Sequence, residues 1–220
     1  MKRHLLYPLV TVDIALFSVE DDALQVLLVQ RANEPFMHQW ALPGGLLQPD
    51  KDVNLEAAAL RVLGDKIDVE VHYVAQVAAF SGANRDPRGW SVAVLHCGLL
   101  PRNQIQAVEK YKVEHLVWVS AHTPSHRLAF DHSSQLATAV SFLRSRVERG
   151  DLPLHLLASE FTLTQLQRTC EAILHRPLDK SVFRRQLKDV RDLMPTGKMT
   201  EGGRSRPAQL YRASETFAWR

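Results

Sequence analysis

The sequence predicts an α+β chain in two unequal parts. A sandwich of sheet and helices spans residues 1–150, and a small, basic, mainly helical unit spans 151–220. Three observations carry this expectation. Apolar runs of strand length alternate with turn residues through the first part and give way to helical periodicity only near 54–67 and 133–151. The texture then changes at Gly150-Asp151-Leu152-Pro153, where two amphipathic helical stretches follow each other closely. Charge divides at the same place: residues 1–150 carry 15 Lys+Arg against 16 Asp+Glu, a net of −1, and residues 151–220 carry 12 against 8, a net of +4.

In chain order, VTVDIALFSV (10–19) and ALQVLLVQR (23–31) have the β-branched content of paired strands, turned at Glu20-Asp21-Asp22. ANEPFMHQWALPGGLLQPDKD (32–52) is dense in turn formers and reads as a loop. From Asn54, a natural N-cap, apolar residues at 55, 58, 59, 62 and 63 follow helical spacing. VHYVAQVAAF (71–80), WSVAVLHCGLL (90–100) and HLVWVSA (115–121) are further strands, the first two separated by the polar turn SGANRDPRG. SSQLATAVSFLRSRVERGD reads as a helix closed by Gly150, with arginines in its last turns where the helix dipole favours cations. Strands with helices and no repeat imply an α+β sandwich.

Beyond the boundary, FTLTQLQRTCEAIL is an amphipathic helix opened by Thr162 or Thr164, and DKSVFRRQLKDV is a second, strongly basic one. LMPTGKMT and AQLYRA are short strands around the loop EGGRSRP. Two helices and then a two-stranded ribbon with a basic tip is the order of a winged helix-turn-helix. Between Arg176 and Arg212 ten basic residues face four acidic ones, which points to a polyanion partner.

Composition excludes several classes. At 220 residues, 45% apolar and 23% charged, the chain is an ordinary globular protein. No apolar run is long enough to span a membrane, and Pro8 and Asp13 break the N-terminal run that a signal peptide would need. Cys97 and Cys170 are far apart without a CxxC partner, so neither a zinc site nor a disulfide framework is expected and a cytoplasmic location is. The ten histidines show no HxH or HExxH spacing, and His132 is expected to cap or orient a helix start.

WALPGGLLQPDKDVNLEAAALRVLGDKIDV resembles the Nudix box, which in working hydrolases runs G-x5-E-x7-R-E-U-x-E-E-x-G-U with U aliphatic. Gly45, Arg61, Leu63 and Val69 match, with two extra residues between the glycine and the arginine. The mismatches fall on the chemistry. Val62, Asp65 and Lys66 occupy three glutamate slots, Lys51 or Asp52 lies near the first, and Asp68 replaces the glycine. In the family pattern those acids share one helix face and hold magnesium through oxygen ligands. A unit charge pair at about 4 Å is worth roughly 4 kcal/mol at an effective dielectric of about 20, so Lys66 on that face is a large penalty for a divalent ion. Asp52, Glu56 and Asp65 remain only as a weak cation site, and no catalytic residue, metal or resident cofactor is expected.

NRDPRGWSV and RLAFDHSSQL resemble the ADP-ribose-processing Nudix proteins and their regulatory relatives. Arg31, Arg85 and Arg88 are the candidates to bind phosphates by charge-assisted contacts, and Phe36, Trp40 or Trp90 to stack on an adenine. The tail, FTLTQLQRTCEAILHRPLDKSVFRRQL with PTGKMTEGGRSRPAQLYR, resembles the winged helix of the Nudix-related transcriptional regulators, repressors of NAD metabolism. On the basic helix, Val182, Phe183 and Leu187 are expected to face the core. Lys180, Ser181, Arg184, Arg185 and Lys188 are expected to face a major groove, and Arg204 and Arg206, beside Gly202-Gly203, a minor groove or the backbone.

The resemblance thus implies a Nudix-like α/β/α sandwich with a C-terminal winged helix: a homodimeric regulator of NAD-metabolism genes that binds double-stranded operator DNA and senses ADP-ribose or a related nucleotide. Two alternatives remain, an active ADP-ribose pyrophosphatase and a regulator of sugar use with another ligand.

Overall fold

A computed structural model of the chain describes residues 7–67, 71, 73–104, 113–188, 190–201 and 207–217. In chain order the first part contains β1 (Leu9–Glu20), β2 (Ala23–Arg31), β3 (Trp40–Ala41), β4 (Gly44–Leu46), α1 (Leu55–Ile67), β5 (Val74–Gly82), β6 (Ser91–Leu99), β7 (Val113–Ser120) and α2 (His132–Glu148). The second contains β8 (Phe161–Thr162), α3 (Leu163–Leu174), α4 (Lys180–Gln186), β9 (Leu193–Met199) and β10 (Gln209–Ala213). No helix among the described residues is long and apolar enough to cross a membrane.

β1 and β2 form an antiparallel hairpin that puts Glu20 opposite Ala23. Its turn residues Asp21 and Asp22 have φ of 49° and 58°. A two-residue turn matching the twist of its strands needs two left-handed residues, which Asp tolerates better than bulkier side chains. β1 also runs parallel to β6, which carries antiparallel β5, while β7 pairs antiparallel with β2. β3 and β4 lie inside the stretch expected to be a loop, on β2 and β1 respectively. Strands of two and three residues are too short to show alternation, and they form here because neighbouring strands offer backbone partners.

β1 reads as a continuous apolar run because both of its faces are covered. Val12, Ile14 and Leu16 pack with Ala58, Ala59, Val62, Leu63 and Ile67 of α1, whereas Ala15 and Phe17 pack with Leu136, Ala139, Val140 and Leu143 of α2. Each large side chain so buried contributes about 1.5–3 kcal/mol, and the result is an α/β/α sandwich. Asn54 caps α1 as expected, its Oδ1 accepting from the Ala57 amide at 2.7 Å.

In the second part β8, β10 and β9 form one sheet over a small core of Leu152, Leu154, Phe161, Leu166, Cys170, Phe183 and Leu187. Of the two candidate caps for α3, Thr162 is the one used, in a capping box with Gln165. α4 opens at Asp179, whose carboxylate accepts from the Val182 amide. It is shorter than expected, so Lys188 lies in the turn beyond it. Val182 does not face the core but is 41% exposed. On a helix of two turns only one i, i+4 stripe meets the core; Phe183 and Leu187 take it, and Val182 points about 100° away. The winged helix rests on the sandwich: Ala172 and Ile173 of α3 join the core beneath α2, and His122 Nε2 bonds the Ala172 carbonyl at 2.9 Å.

Candidate functional site

Beside β1 a cavity of about 550 Å³ opens between the end of β2, β4, the face of α1 and the start of α2. Arg31, Arg61, Lys66, Arg85 and Arg88 line it together with Asp13, Asp86, Phe130 and His132. Three of the arginines are held by carboxylates. Arg61 meets Asp52 through Nε at 2.6 Å and Nη2 at 2.8 Å. Arg85 grips Asp131 at 2.9 Å with both Nε and Nη2, and gives Nη1 to Ser91. Arg88 spans Asp86 with Nη2 at 2.7 Å and Nε at 3.0 Å. Such two-point contacts fix a guanidinium in place and direction.

Arg31 differs. Its Nε and Nη2 donate to the carbonyls of Pro35 and Asn33, and its guanidinium lies 4.8 Å from the Phe130 ring centre. It has no carboxylate partner among the described residues. Burial, then the neighbouring Arg88, lowers its pKa. Asp13, Asp86 and Glu34 act on it only at a distance, in the opposite direction, and a half-buried cation with no carboxylate in contact is a ready seat for a phosphate.

The pairs shift the acids in consistent directions. The Arg61 hydrogen bond pulls Asp52 down to about 2, overriding its burial. Burial pushes Asp86 and Asp131 up, but hydrogen bonds from Arg88, and from Arg85 and Gln135, leave both below the ordinary carboxylate range. His132 is pushed down by burial. Its Nδ1 accepts from the Leu42 amide at 2.9 Å, so the ring proton sits on Nε2, 3.6 Å from Asp13 Oδ2. His132 does not cap α2, whose N-cap is Asp131, but ties its first turn to the backbone at Leu42.

The box face does not suit a divalent cation. Val62 is buried against Gly45, where a Cβ would come within 2.9 Å of Val62 Cγ2, which explains the glycine there. Asp65 is exposed and bonds Arg61 at 3.3 Å. Asp52, the strongest remaining acid, is 1% exposed at its side chain and taken by Arg61, and Glu56 is exposed, so the three do not converge. Among the described residues no group of three or more His, Cys, Asp or Glu is arranged to hold a metal.

Of the expected ligand residues, Arg31, Arg85 and Arg88 line the cavity and the aromatics do not. Phe36 lies behind it, edge-on to Phe130 at 4.7 Å. Trp40 packs on the α2-side core beside His126, and Trp90 is 51% exposed outside the cavity. Trp90 is therefore corrected to a surface position, and Trp40 takes the packing role that its place inside WALPGG suggests rather than a ligand contact. Asp13, Asp86, Asp131, Phe130 and Gln135 were missed. For Asp13 the sequence held a signal, an acid at the centre of an otherwise apolar strand.

The second candidate surface is α4. Lys180, Ser181, Arg184, Arg185 and Lys188 are all exposed, and among the described residues none of these cations has a carboxylate partner. Arg204 and Arg206 lie outside the described residues. Lys198 of β9 reaches Glu160 at 2.7 Å.

Comparison with known proteins matches both parts. Residues 153–213 fit the NrtR DNA-binding winged helix domain, and residues 9–139 fit the NUDIX domain. The chain is 42% identical over 206 residues to the ADPR responsive transcriptional repressor NtrR of Acinetobacter baylyi, covering 93% of this chain and 82% of that one. Its fold superposes with a TM-score of 0.83 on Shewanella oneidensis NrtR complexed with a 27mer DNA, at 35% identity over 93% of both chains. Its first part is similar to the NUDIX domain of the same protein complexed with ADP ribose, with a TM-score of 0.59 and 36% identity, over 65% of this chain and 93% of that one.

Proposed function

The chain belongs to the NrtR family, in which a Nudix domain is joined to a DNA-binding winged helix, and from that premise we propose that it is an ADP-ribose-responsive transcriptional repressor. Residues 1–150 sense the nucleotide, and residues 151–220 bind double-stranded operator DNA upstream of genes of NAD metabolism. The protein works as a homodimer in the cytoplasm, two recognition helices matching a palindromic site. The observation that supports this best is Arg31: a half-buried guanidinium without a carboxylate, in a cavity whose other arginines are locked.

The chain does not hydrolyse its ligand and needs no magnesium to bind it. Metal-assisted cleavage of a pyrophosphate requires ions to generate the nucleophile and neutralise the phosphates. The box helix supports no such role, with Val62 buried, Asp65 bonded to Arg61 and Lys66 in the third slot. ADP-ribose then acts only by binding one arrangement of the winged helices better than another. A tenfold loss of DNA affinity needs about 1.4 kcal/mol of such difference.

The test is a titration of ADP-ribose into the full-length protein bound to its own upstream DNA in magnesium buffer, with fluorescence anisotropy and product chromatography followed together. Release of DNA with intact ADP-ribose is the expected result. Formation of AMP and ribose 5-phosphate would make the chain a hydrolase. DNA that stays bound at saturating ligand would remove ADP-ribose as inducer.

A further inference from the structure

We infer that Asp13 reads the distal sugar of the bound nucleotide, accepting a hydrogen bond from one of its hydroxyls, and so makes the cavity prefer a nucleoside diphosphate sugar to the bare nucleoside diphosphate. This rests on the nucleotide-pocket reading above and specifies what lies at its deep end.

Asp13 sits in the middle of β1, is only 5% exposed and yet lines the cavity. One carboxylate oxygen is committed: Oδ2 accepts from Gln135 Nε2 at 3.0 Å and faces His132 Nε2 at 3.6 Å. The other is not. Oδ1 lies against Gly44, also a lining residue, where a Cβ would come within 2.1 Å of it, and it has no hydrogen-bond donor among the described residues. The remaining buried acid of the lining, Asp86, is bonded to Arg88. Asp13 is thus the buried carboxylate of the cavity to which no arginine or lysine is bonded among the described residues, Arg31 and Arg88 feeling its charge only at a distance.

A carboxylate only accepts hydrogen bonds, and a buried one with an open oxygen is left wanting until a donor arrives. A phosphate there would meet like charge, so the phosphates belong beside Arg31 and Arg88 and a neutral donor belongs at Asp13. A purine is the poorer candidate. Phe130 is already contacted by Arg31 at 4.8 Å, His132 at 5.3 Å and the edge of Phe36 at 4.7 Å, leaving a base little to stack on. A sugar needs no ring face and brings several hydroxyls.

The experiment is calorimetric titration of the full-length protein and its Asp13→Asn variant with ADP-ribose, ADP and inosine diphosphate ribose. The native protein is expected to bind ADP-ribose at least tenfold tighter than ADP. Asp13→Asn is expected to weaken ADP-ribose by about ten- to a hundredfold, as for loss of a hydrogen bond to a charged group, while leaving ADP within about twofold. Inosine diphosphate ribose should follow ADP-ribose in both proteins. Equal native affinities for ADP and ADP-ribose, or equal losses for both in the variant, overturn the inference. Weak native binding of inosine diphosphate ribose would give Asp13 to the base amine and overturn it too. If neither ADP-ribose nor ADP binds the native protein, the nucleotide-pocket reading itself falls. Should Asp13→Asn fail to fold, Gly44→Ala, whose methyl would strike Oδ1, must produce the same ligand-selective loss or the inference is wrong.

Discussion

In the cavity, Arg61, Arg85 and Arg88 each hold a neighbouring carboxylate through two guanidinium nitrogens, whereas Arg184 and Arg185 of α4 stand in solvent with no partner among the described residues. On the proposed function the two regions use the same side chain for opposite purposes. Locked arginines lose their rotamer freedom during folding, so a small ligand meets walls already in place. Free arginines keep their freedom and their counterions until a polyanion arrives, and releasing those counterions then drives binding. One region is preorganised for shape, and the other is poised for charge.

The largest effect should come from breaking a locked pair. Asp131→Ala strands Arg85, whose side chain is 8% exposed, and removes an acceptor from Gln135. We expect it to lose about 3 kcal/mol in urea unfolding and to abolish nucleotide binding. A change below about 1 kcal/mol would mean that the cavity is not preorganised by its pairs. On the other side, Arg184→Ala or Arg185→Ala should leave unfolding unchanged but cost about 1–3 kcal/mol of DNA affinity, with selectivity relaxed at one base. The same loss on every DNA sequence, with only a shallower salt dependence, would reduce α4 to a phosphate contact.

Acid sharpens the contrast with a smaller, purely directional effect. Arg61 holds Asp52 at about 2, below the roughly 3.9 of an unfolded aspartate. The depressed value means the native state favours the ionised form, so this stabilisation is complete above about pH 4 and fades as pH falls towards 2. Unfolding followed from pH 6 to pH 2 should show that acid limb flattened in Asp52→Asn and untouched in Arg184→Ala. The smallest effect belongs to Val182. Because it is exposed, Val182→Ala should change stability by less than about 0.5 kcal/mol, and a core-sized loss would restore it to the face first expected.

Legibility followed the range of the interaction. Asn54 was readable as a cap, and Thr162 as one of two candidates, because each bonds an amide three residues along. The failures were contextual. Val182 looked like core because it is apolar, yet a helix as short as α4 offers one buried stripe. Phe36, Trp40 and Trp90 were candidate stackers by residue type alone, and residue type does not say which of them reaches the cavity; Trp40 packs in the core, as its place in WALPGG already suggested, and Trp90 stands in solvent. β3 and β4 escaped notice because they exist only through their partners.

The sequence by itself determined the order of elements, the two-part charge distribution, the basic helix and the loss of carboxylates from the box. These depend on residue type and on spacings of two to four, which chain geometry converts directly into faces and caps. Only the tertiary structure decided which charges are spoken for. Arg85 reaches Asp131 across 46 residues, the Leu42 amide reaches His132 across 90, and Gln135 reaches Asp13 across 122. Folding brings those groups together by packing two helices on opposite faces of one sheet, and no local pattern records which side chains will then meet. That is why Arg31 and Asp13, an arginine bonded to no acid and a carboxylate oxygen with no donor among the described residues, emerge as open contacts of the cavity only once Arg61, Arg85 and Arg88 are seen to hold Asp52, Asp131 and Asp86.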